Sequence, residues 1–233
     1  MLKRIISCIP NSITCLNLIS GCVAIYMAFH LNEQFGALSG GKWAALAMGA
    51  AAVFDFLDGF AARLLHAFSP LGGDLDSLSD MVSFGVAPAA LLANMMLAAG
   101  TPPGAVLPVL IIPVCGAIRL ATFNTDGEQS VSFRGLPIPA NAIFWIGFYG
   151  WVQQYGYPGW PAVDVLAVLV ALAMTARFRM FSLKFKTWGL AENFARYALI
   201  LAAVLFVVFN GLAGLMWTIV FYFFLSLMKR RRL

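Results

Sequence analysis

Charged residues are scarce in this chain. Only 11% of its 233 residues are Asp, Glu, Lys or Arg, whereas 61% are hydrophobic. A soluble domain carries about 25% charged residues to cover its surface, so an ordinary soluble fold is excluded. The composition predicts an all-α, polytopic membrane protein, a helical bundle in which each helix satisfies its own backbone hydrogen bonds.

Histidine and cysteine are also scarce, which narrows the possible chemistry. The chain has 2 His and 4 Cys. His30 and His66 fall at opposite predicted membrane faces, which argues against a histidine metal site or a nucleophilic dyad. No two cysteines form a C-x-x-C pair, so we expect packing roles rather than a zinc site or disulfides. The cysteines are Cys8, Cys15, Cys22 and Cys115.

Long apolar segments predict about eight transmembrane helices. They are residues 11–30, 42–65, 75–98, 104–123, 137–153, 161–177, 193–209 and 212–228. As a single helix, the uncharged stretch 197–228 would be ~48 Å long at about 1.5 Å per residue, against a hydrocarbon core of ~30 Å. Asn210 and Gly211 offer the break that divides this stretch into two helices.

The basic residues predict the orientation of the bundle. An even number of helices places both termini on one side, and the positive-inside rule puts Lys3, Arg4 and residues 229–232 in the cytoplasm. Of the 15 basic residues, all but Lys42 then face the cytoplasm. The net charge of +5 is therefore a topology signal and an attraction to anionic membrane lipids, and it gives little support to a nucleic-acid partner.

A single membrane domain is predicted, because no linker, low-complexity stretch or clear repeat divides residues 1–233. Residues 1–9 precede Pro10 and carry apolar side chains near one helical face. This pattern predicts a short amphipathic helix at the membrane interface, with an unstructured tail as the alternative. The apolar residues are Leu2, Ile5, Ile6 and Ile9.

Four aspartates stand close together inside this apolar chain. They are Asp55, Asp58, Asp76 and Asp80, in the frame D-x2-D-G-x2-A-R-x8-G-x3-D-x3-D. An ionised carboxylate at membrane depth costs roughly 2.5–3.5 kcal/mol on insertion scales, so such residues need partners that replace water. A divalent cation would be one such partner.

The spacing of the aspartates predicts that they converge. Members of each pair are three or four residues apart, so on a helix both project from one face. The turn signal at residues 69–73 would fold the two helices antiparallel, at their cytoplasmic ends. Oxygen ligands without nearby Cys or His favour Mg²⁺, Mn²⁺ or Ca²⁺ over zinc. Two ions that share bridging carboxylates suit phosphoryl chemistry.

The frame from Asp55 to Asp80 resembles the signature of the CDP-alcohol phosphotransferases, and every fixed position matches. These integral membrane enzymes move a phosphatidyl group from a CDP-linked lipid to an alcohol. The resemblance implies that Asp55, Asp58 and Asp76 are metal ligands. It implies that Asp80 is a ligand that can also act as a base. It also implies a homodimer, and a CDP site that includes Gly59, Ala62 and Arg63.

The other residues of the frame have physical roles that suit a nucleotide. Gly59 and Gly72 lack side chains and so allow close approach, and Arg63 can pair with a diphosphate; helix packing and lipid headgroup contact are the alternatives. Asn11 and Thr14, near the start of the first helix, offer an amide and a hydroxyl able to read cytosine. Packing is an equal alternative for these two.

Residues 10–145 further resemble the bacterial and archaeal branch of the family that uses serine as the alcohol. The similar segments are residues 80–88, 119–124 and 133–140. Serine presents a carboxylate and an ammonium, so its pocket needs a cation and an oxygen-bearing partner. Arg119 and Arg134 with Asn124 can supply them, with positive-inside loop charge as the alternative.

The resemblance implies transfer of a phosphatidyl group from CDP-diacylglycerol to L-serine, giving phosphatidylserine and CMP. No Ser, Cys or His is placed for a covalent intermediate, which favours metal-dependent single displacement with Asp80 as base. The alternative is a related enzyme that makes phosphatidylglycerophosphate or an inositol lipid. A cation channel would also bury carboxylates, but it would not need Gly59, Arg63 and Gly72 at fixed offsets.

Overall fold

The computed structural model describes residues 2–125, 133–181 and 189–230, and these form a bundle of nine α-helices. The helices are α1 (Leu2–Phe29), α2 (Gly40–Leu64), α3 (Pro70–Asp80), α4 (Ala87–Ala98), α5 (Ile111–Thr125), α6 (Ile138–Tyr155), α7 (Trp160–Thr175), α8 (Leu190–Asn210) and α9 (Gly214–Arg230). The predicted all-α class is confirmed. Six of the predicted apolar segments each coincide with one helix, although α1 begins nine residues earlier than predicted. The segment 75–98 covers α3, α4 and the turn Met81–Val86 between them, and the segment 104–123 covers a 3₁₀ segment, Pro103–Leu110, followed by α5.

Two short antiparallel strand pairs accompany the helices: a hairpin between α1 and α2, and a pair whose strands are separated in sequence by α6 and α7. Strands β1 (Gln34–Phe35) and β2 (Leu38–Ser39) link α1 to α2, and β3 (Phe133–Arg134) pairs with β4 (Arg179–Met180). Gly135, after β3, has a positive φ of 72°, and a Cβ there would lie 2.3 Å from the carbonyl oxygen of Met174. Only glycine therefore allows this segment to pass so close to the end of α7.

Five helical segments of the described residues are long and apolar enough to cross a membrane. They are Cys8–Phe29, Gly40–Leu64, Pro70–Ala98, Pro103–Thr125 and Asn193–Met228. The last contains two helices, because α8 ends at Asn210, a 3₁₀ turn covers Gly211–Ala213, and α9 packs back along α8. The predicted break at Asn210 and Gly211 is therefore confirmed. The apolar helix α7 is shorter than the five.

The N-terminal helix differs from the prediction of a separate segment before Pro10. Helix α1 runs without interruption from Leu2 through Pro10 to Phe29. Proline removes one backbone donor, which costs the helix one hydrogen bond at this turn. Side chains add contacts on both sides of it: Ser12 Oγ donates to the carbonyl of Cys8, and Thr14 Oγ1, whose proton goes to Asp58, lies 3.0 Å from the carbonyl of Pro10. The interfacial position of residues 1–9 stays a prediction.

Helix α6 lies at the centre of the bundle and is buried along most of its length. It packs against α2, α4 and α9. Glycines bring α6 close to the last helix: a Cβ at Gly147 would lie 2.1 Å from the backbone nitrogen of Met216. Trp145 is almost completely buried, and its indole N–H donates to Asn141 Oδ1 at 2.9 Å. Helix α6 also contacts the turn Met81–Val86 that directly follows Asp80.

Candidate metal and nucleotide site

Three of the four predicted carboxylates meet in the structure. Asp55 on α2 and Asp76 and Asp80 on α3 each offer one oxygen, and these oxygens all lie within 4.8 Å of one another. The predicted turn between the helices is a helix start: Pro70 opens α3, and Ser69 accepts a hydrogen bond from the backbone N–H of Gly72 at 3.0 Å. This N-cap starts α3, which packs against α1.

Asp58 lies beside this cluster rather than in it. Its Oδ2 accepts a hydrogen bond of 2.7 Å from Thr14 Oγ1 on α1, and its side chain is buried. Three residues beyond Asp55, it still adds negative charge that acts on both Asp55 and Asp76. The structure therefore brings three carboxylates together directly and ties the fourth to α1.

The cluster suits a divalent cation. Burial removes water from the three carboxylates, and their like charges repel one another. Asp76 Oδ1 is buried and has no hydrogen-bond partner among the residues that the structure describes. A hard cation bound by carboxylate oxygens would satisfy that atom and offset the repulsion, as Mg²⁺, Mn²⁺ and Ca²⁺ do. The donor set therefore fits the predicted class of metal.

Helix α1 presents a row of polar side chains, spaced three residues apart, to the residues of the frame. Asn11 lies against Gly72, where a Cβ would come within 3.0 Å of Asn11 Oδ1. Thr14 reaches Asp58, and one turn further Asn17 Nδ2 donates to Asp80 Oδ1 at 3.2 Å. Asn11 and Thr14 were predicted from the sequence and Asn17 was not, although Asn17 continues the three-residue spacing of this row.

The remaining residues of the predicted CDP site line the last turns of α2. A Cβ at Gly59 would meet only Arg63 Nη1, at 3.6 Å, so space is open beside this glycine. Arg63 is exposed and Ala62 is partly buried. The open helix surface at Gly59 and the guanidinium group of Arg63 therefore lie about one turn beyond Asp55 and Asp58, toward the turn at residues 65–69. This surface is accessible to a ligand.

The three predicted acceptor residues lie in different environments. Arg119 on α5 is only 9% exposed, its charge interacts with Asp80 and Tyr222, and its Nε has no partner within the described part of the chain. Asn124 is exposed and donates to Ser77 Oγ at 2.8 Å, next to Asp76. Arg134 belongs to β3, but its side chain lies outside the described part of the structure.

A π-helical turn follows Asp80 directly. Residues Met81–Val86 widen the helix, and the N–H of Ala87 bonds to the carbonyl of Val82, five residues back. Pro88 has no N–H to offer the carbonyl of Phe84, and Asn141 Nδ2 from α6 donates to it instead, at 2.9 Å. This turn was not predicted, and Pro88 was the only signal for it in the sequence.

These features define an all-α bundle of the membrane type with an oxygen-rich site for a divalent cation, beside an open helix surface. The family model described as CDP-alcohol phosphatidyltransferase matches residues 7–176 of the chain. The chain belongs to this family, and the resemblance predicted from the frame is confirmed.

Several curated proteins are similar to this chain. The CDP-diacylglycerol--serine O-phosphatidyltransferase of Mycobacterium leprae is 40% identical over 169 residues, covering 70% of this chain and 53% of that protein. The protein of the same name from Methanocaldococcus jannaschii is 36% identical over 173 residues, covering 74% and 73%. That of Bacillus subtilis is 37% identical over 131 residues, covering 56% and 69%. The chain spans about half the length of the mycobacterial relatives that it matches.

Proposed function

We propose that this chain transfers the phosphatidyl group of CDP-diacylglycerol to L-serine, giving phosphatidylserine and CMP. The observation that carries the proposal is the convergence of Asp55, Asp76 and Asp80 within 4.8 Å, inside the part of the chain that matches the family. The choice of serine is supported by relatives from bacteria and an archaeon that carry the serine enzyme's name.

The four carboxylates would hold the metal. Asp55, Asp76 and Asp80 have oxygens close enough to share one ion, and Asp58 would join them by exchanging its bond to Thr14. We propose Mg²⁺ or Mn²⁺, with Ca²⁺ as the alternative, and two ions in the active state. Bound cations would supply charge neutralisation of the diphosphate and stabilise CMP as the leaving group.

The chain's own residues would bind CDP and activate the alcohol. Asn11, Thr14, Gly59, Ala62, Arg63 and Gly72 would form the CDP site. The acceptor hydroxyl attacks the phosphorus bound to the diacylglycerol, its proton passes to Asp80, and the bond to CMP breaks. One P–O bond forms as another is lost, so the step balances without a redox partner.

Single displacement is favoured because the nearby serine hydroxyls are hydrogen-bonded to backbone carbonyls. Ser77, Ser79 and Ser83 lie on the same helical segment as Asp76 and Asp80. Each donates its hydroxyl proton to a backbone carbonyl, at 3.0 to 3.3 Å. A serine held in this way has no base to activate it, so none of these three serines is placed to act as the nucleophile of a phosphatidyl-enzyme intermediate.

An acceptor screen tests the proposed function. Mass-tagged CDP-diacylglycerol is offered to the purified protein with serine, glycerol 3-phosphate, inositol or inositol phosphate, and lipid products are identified. We expect phosphatidylserine. Formation of phosphatidylglycerophosphate or an inositol lipid instead would establish the alternative function within the same family. No product with any acceptor, in the presence of Mg²⁺ or Mn²⁺, would overturn the proposal.

Acceptor binding provides a more specific prediction. Arg119→Ala is expected to raise the KM for serine by about 10-fold or more while changing that for CDP-diacylglycerol little, because a hydrogen-bonded charge pair contributes ~1.5–3 kcal/mol. Arg134→Ala is expected to act in the same direction. Arg177, an exposed arginine after α7, provides the matched control Arg177→Ala. An equal loss toward both substrates would assign Arg119 to packing or loop charge.

We also propose eight membrane crossings, both termini in the cytoplasm and a site open to the cytoplasmic side of the cytoplasmic membrane. The distribution of basic residues supports this orientation. In a cysteine-free background, a cysteine added after Arg232 is expected to resist an impermeant thiol reagent applied to intact cells. Ala37→Cys, in the exposed hairpin between α1 and α2, is expected to react and serves as the control. Labelling of the C-terminal cysteine from outside would contradict the topology.

A homodimer is the proposed assembly, as the family implies. Chemical crosslinking in native membranes, followed by mass measurement, tests it, and a species of single-chain mass alone would contradict it.

A further inference from the structure

Asn17 has an unusual environment for a buried asparagine. Its side chain is completely buried, and Nδ2 donates to Asp80 Oδ1 at 3.2 Å. Its Oδ1 has no hydrogen-bond partner among the described residues. The orientation of the amide follows from its neighbour, because the reverse orientation would place the amide oxygen against a carboxylate oxygen. Asn17 therefore presents an unused acceptor beside the proposed base.

Asn141 provides a comparison, because it is a buried asparagine with a structural role in the same bundle. It is also completely buried, but both ends of its amide are paired: Nδ2 donates to the carbonyl of Phe84, and Oδ1 accepts from Trp145. Leaving a buried acceptor unpaired destabilises a fold, so such groups are rare unless a ligand completes them. The contrast between the two asparagines leaves Asn17 Oδ1, within the described part of the chain, as an acceptor that a donor from outside the chain can use.

The helix holds Asn17 firmly in this position. Ser83 Oγ donates to the carbonyl of Asn17 at 3.0 Å. Gly21, one turn further along α1, lets the two helices touch, since a Cβ there would lie 2.3 Å from Ser83 Oγ. The π turn that contains Ser83 therefore docks on α1 at the level of Asn17. The amide is prepositioned and does not need to move to meet a ligand.

The chemistry of the acceptor substrate identifies the missing donor. An amide oxygen only accepts, so it cannot bind the carboxylate of an amino acid, whereas the Arg119 cation can. In the proposed reaction the hydroxyl proton goes to Asp80. The ammonium is then the group of the acceptor amino acid whose N–H donors still need an acceptor. Asn17 donates a hydrogen bond to Asp80, and the charge of Arg119 acts on the same carboxylate.

We propose that Asn17 Oδ1 binds the ammonium of the acceptor amino acid, which makes Asn17 a specificity-determining residue for serine. This assignment rests on the proposed function. Together, Asn17 and Arg119 would fix the acceptor at two points and so direct its hydroxyl toward Asp80. An alcohol that lacks the ammonium would leave the amide oxygen unpaired and would be disfavoured for that reason.

The test compares serine with 3-hydroxypropionate, which keeps the hydroxyl and the carboxylate but lacks the ammonium. In Asn17→Leu, the KM for serine is expected to rise about 10-fold or more, as for loss of a hydrogen bond to a charged group. The inhibition constant of 3-hydroxypropionate against serine is expected to change less than ~2-fold, because this ligand never used the amide oxygen. Turnover falls as well, since the contact to Asp80 is lost.

Asn141→Leu is the matched control, because it removes a buried amide of the same size that faces no ligand. Asn141→Leu is expected to alter the stability of the fold without changing the ratio of the serine KM to the inhibition constant of 3-hydroxypropionate. Metal-dependent CDP-diacylglycerol binding, measured on each preparation, reports whether the site is folded, and Asn17→Ser replaces Asn17→Leu should the latter not fold.

Two outcomes would overturn the assignment. If the serine KM and the 3-hydroxypropionate constant rise equally, or if neither changes, Asn17 only positions Asp80 or only packs. The failure of the proposed function has a different signature: the unaltered protein would then form no phosphatidylserine at all, and the assignment would fall with it.

Discussion

Asp80→Asn protein is expected to bind CDP-diacylglycerol with a divalent cation and yet to transfer the phosphatidyl group at least ~100-fold more slowly, the scale typical of general-base removal. Asparagine keeps the size of the side chain but removes its charge and basicity. The structure adds a reason for assigning the base to Asp80. Asn17 Nδ2 donates a hydrogen bond to Oδ1 of Asp80, which leaves the other oxygen for the cation and the incoming hydroxyl. Binding and turnover are measured on the same purified variants.

Asp74→Asn provides the matched control for this experiment. Asp74 lies on the same helix α3 but is exposed and stands outside the frame, so its substitution is expected to leave transfer nearly unchanged. Near-normal turnover by Asp80→Asn would contradict the assignment of the base. Loss of binding together with turnover would make Asp80 chiefly a metal ligand.

The helices and their breaks could be predicted from the sequence because each depends on local properties. The break at Asn210 and Gly211 was predictable because an uncharged stretch longer than the membrane is thick needs a turn, and asparagine and glycine favour one. The start of α3 was predicted as a turn rather than as a capped helix. Ser69 and Pro70 satisfy the first turn of a helix, so α3 begins there.

The metal site was predictable in composition but not in its detailed arrangement. Helical spacing within each pair made the four aspartates look equivalent, whereas the structure joins three of them and ties Asp58 to Thr14. Which oxygen faces which neighbour depends on the packing of α1 against α2 and α3, and a frame confined to residues 55–80 contains no information about α1. Asn17 was missed for the same reason.

The π turn shows how a distant residue can decide local geometry. Pro88 removes the donor that would normally bond to the carbonyl of Phe84, and that change can be read from the sequence. The compensating donor, Asn141, lies on α6, more than fifty positions away. The sequence indicates that a carbonyl loses its partner but does not indicate which residue replaces it. The turn lies directly after Asp80, so this contact stabilises the geometry of the site.

The unequal environments of the aspartates lead to the second prediction with a large effect, on metal binding itself. Asp76→Asn and Asp55→Asn are each expected to weaken binding of Mn²⁺ by more than ~100-fold, because loss of an outer-shell partner alone typically costs 10–100-fold. Asp58→Asn is expected to cost less, about 10-fold, because its Oδ2 already accepts a hydrogen bond from Thr14 and it lies beside the cluster. The unpaired Oδ1 of Asp76 makes that residue the most sensitive position.

Calorimetric titration of Mn²⁺ into substrate-free protein measures these affinities without reference to turnover, with Asp74→Asn as the control for a general loss of negative charge. Equal weakening by Asp58→Asn and Asp76→Asn would contradict this ranking, because it would show that exchanging the bond to Thr14 costs Asp58 none of its share in binding the cation.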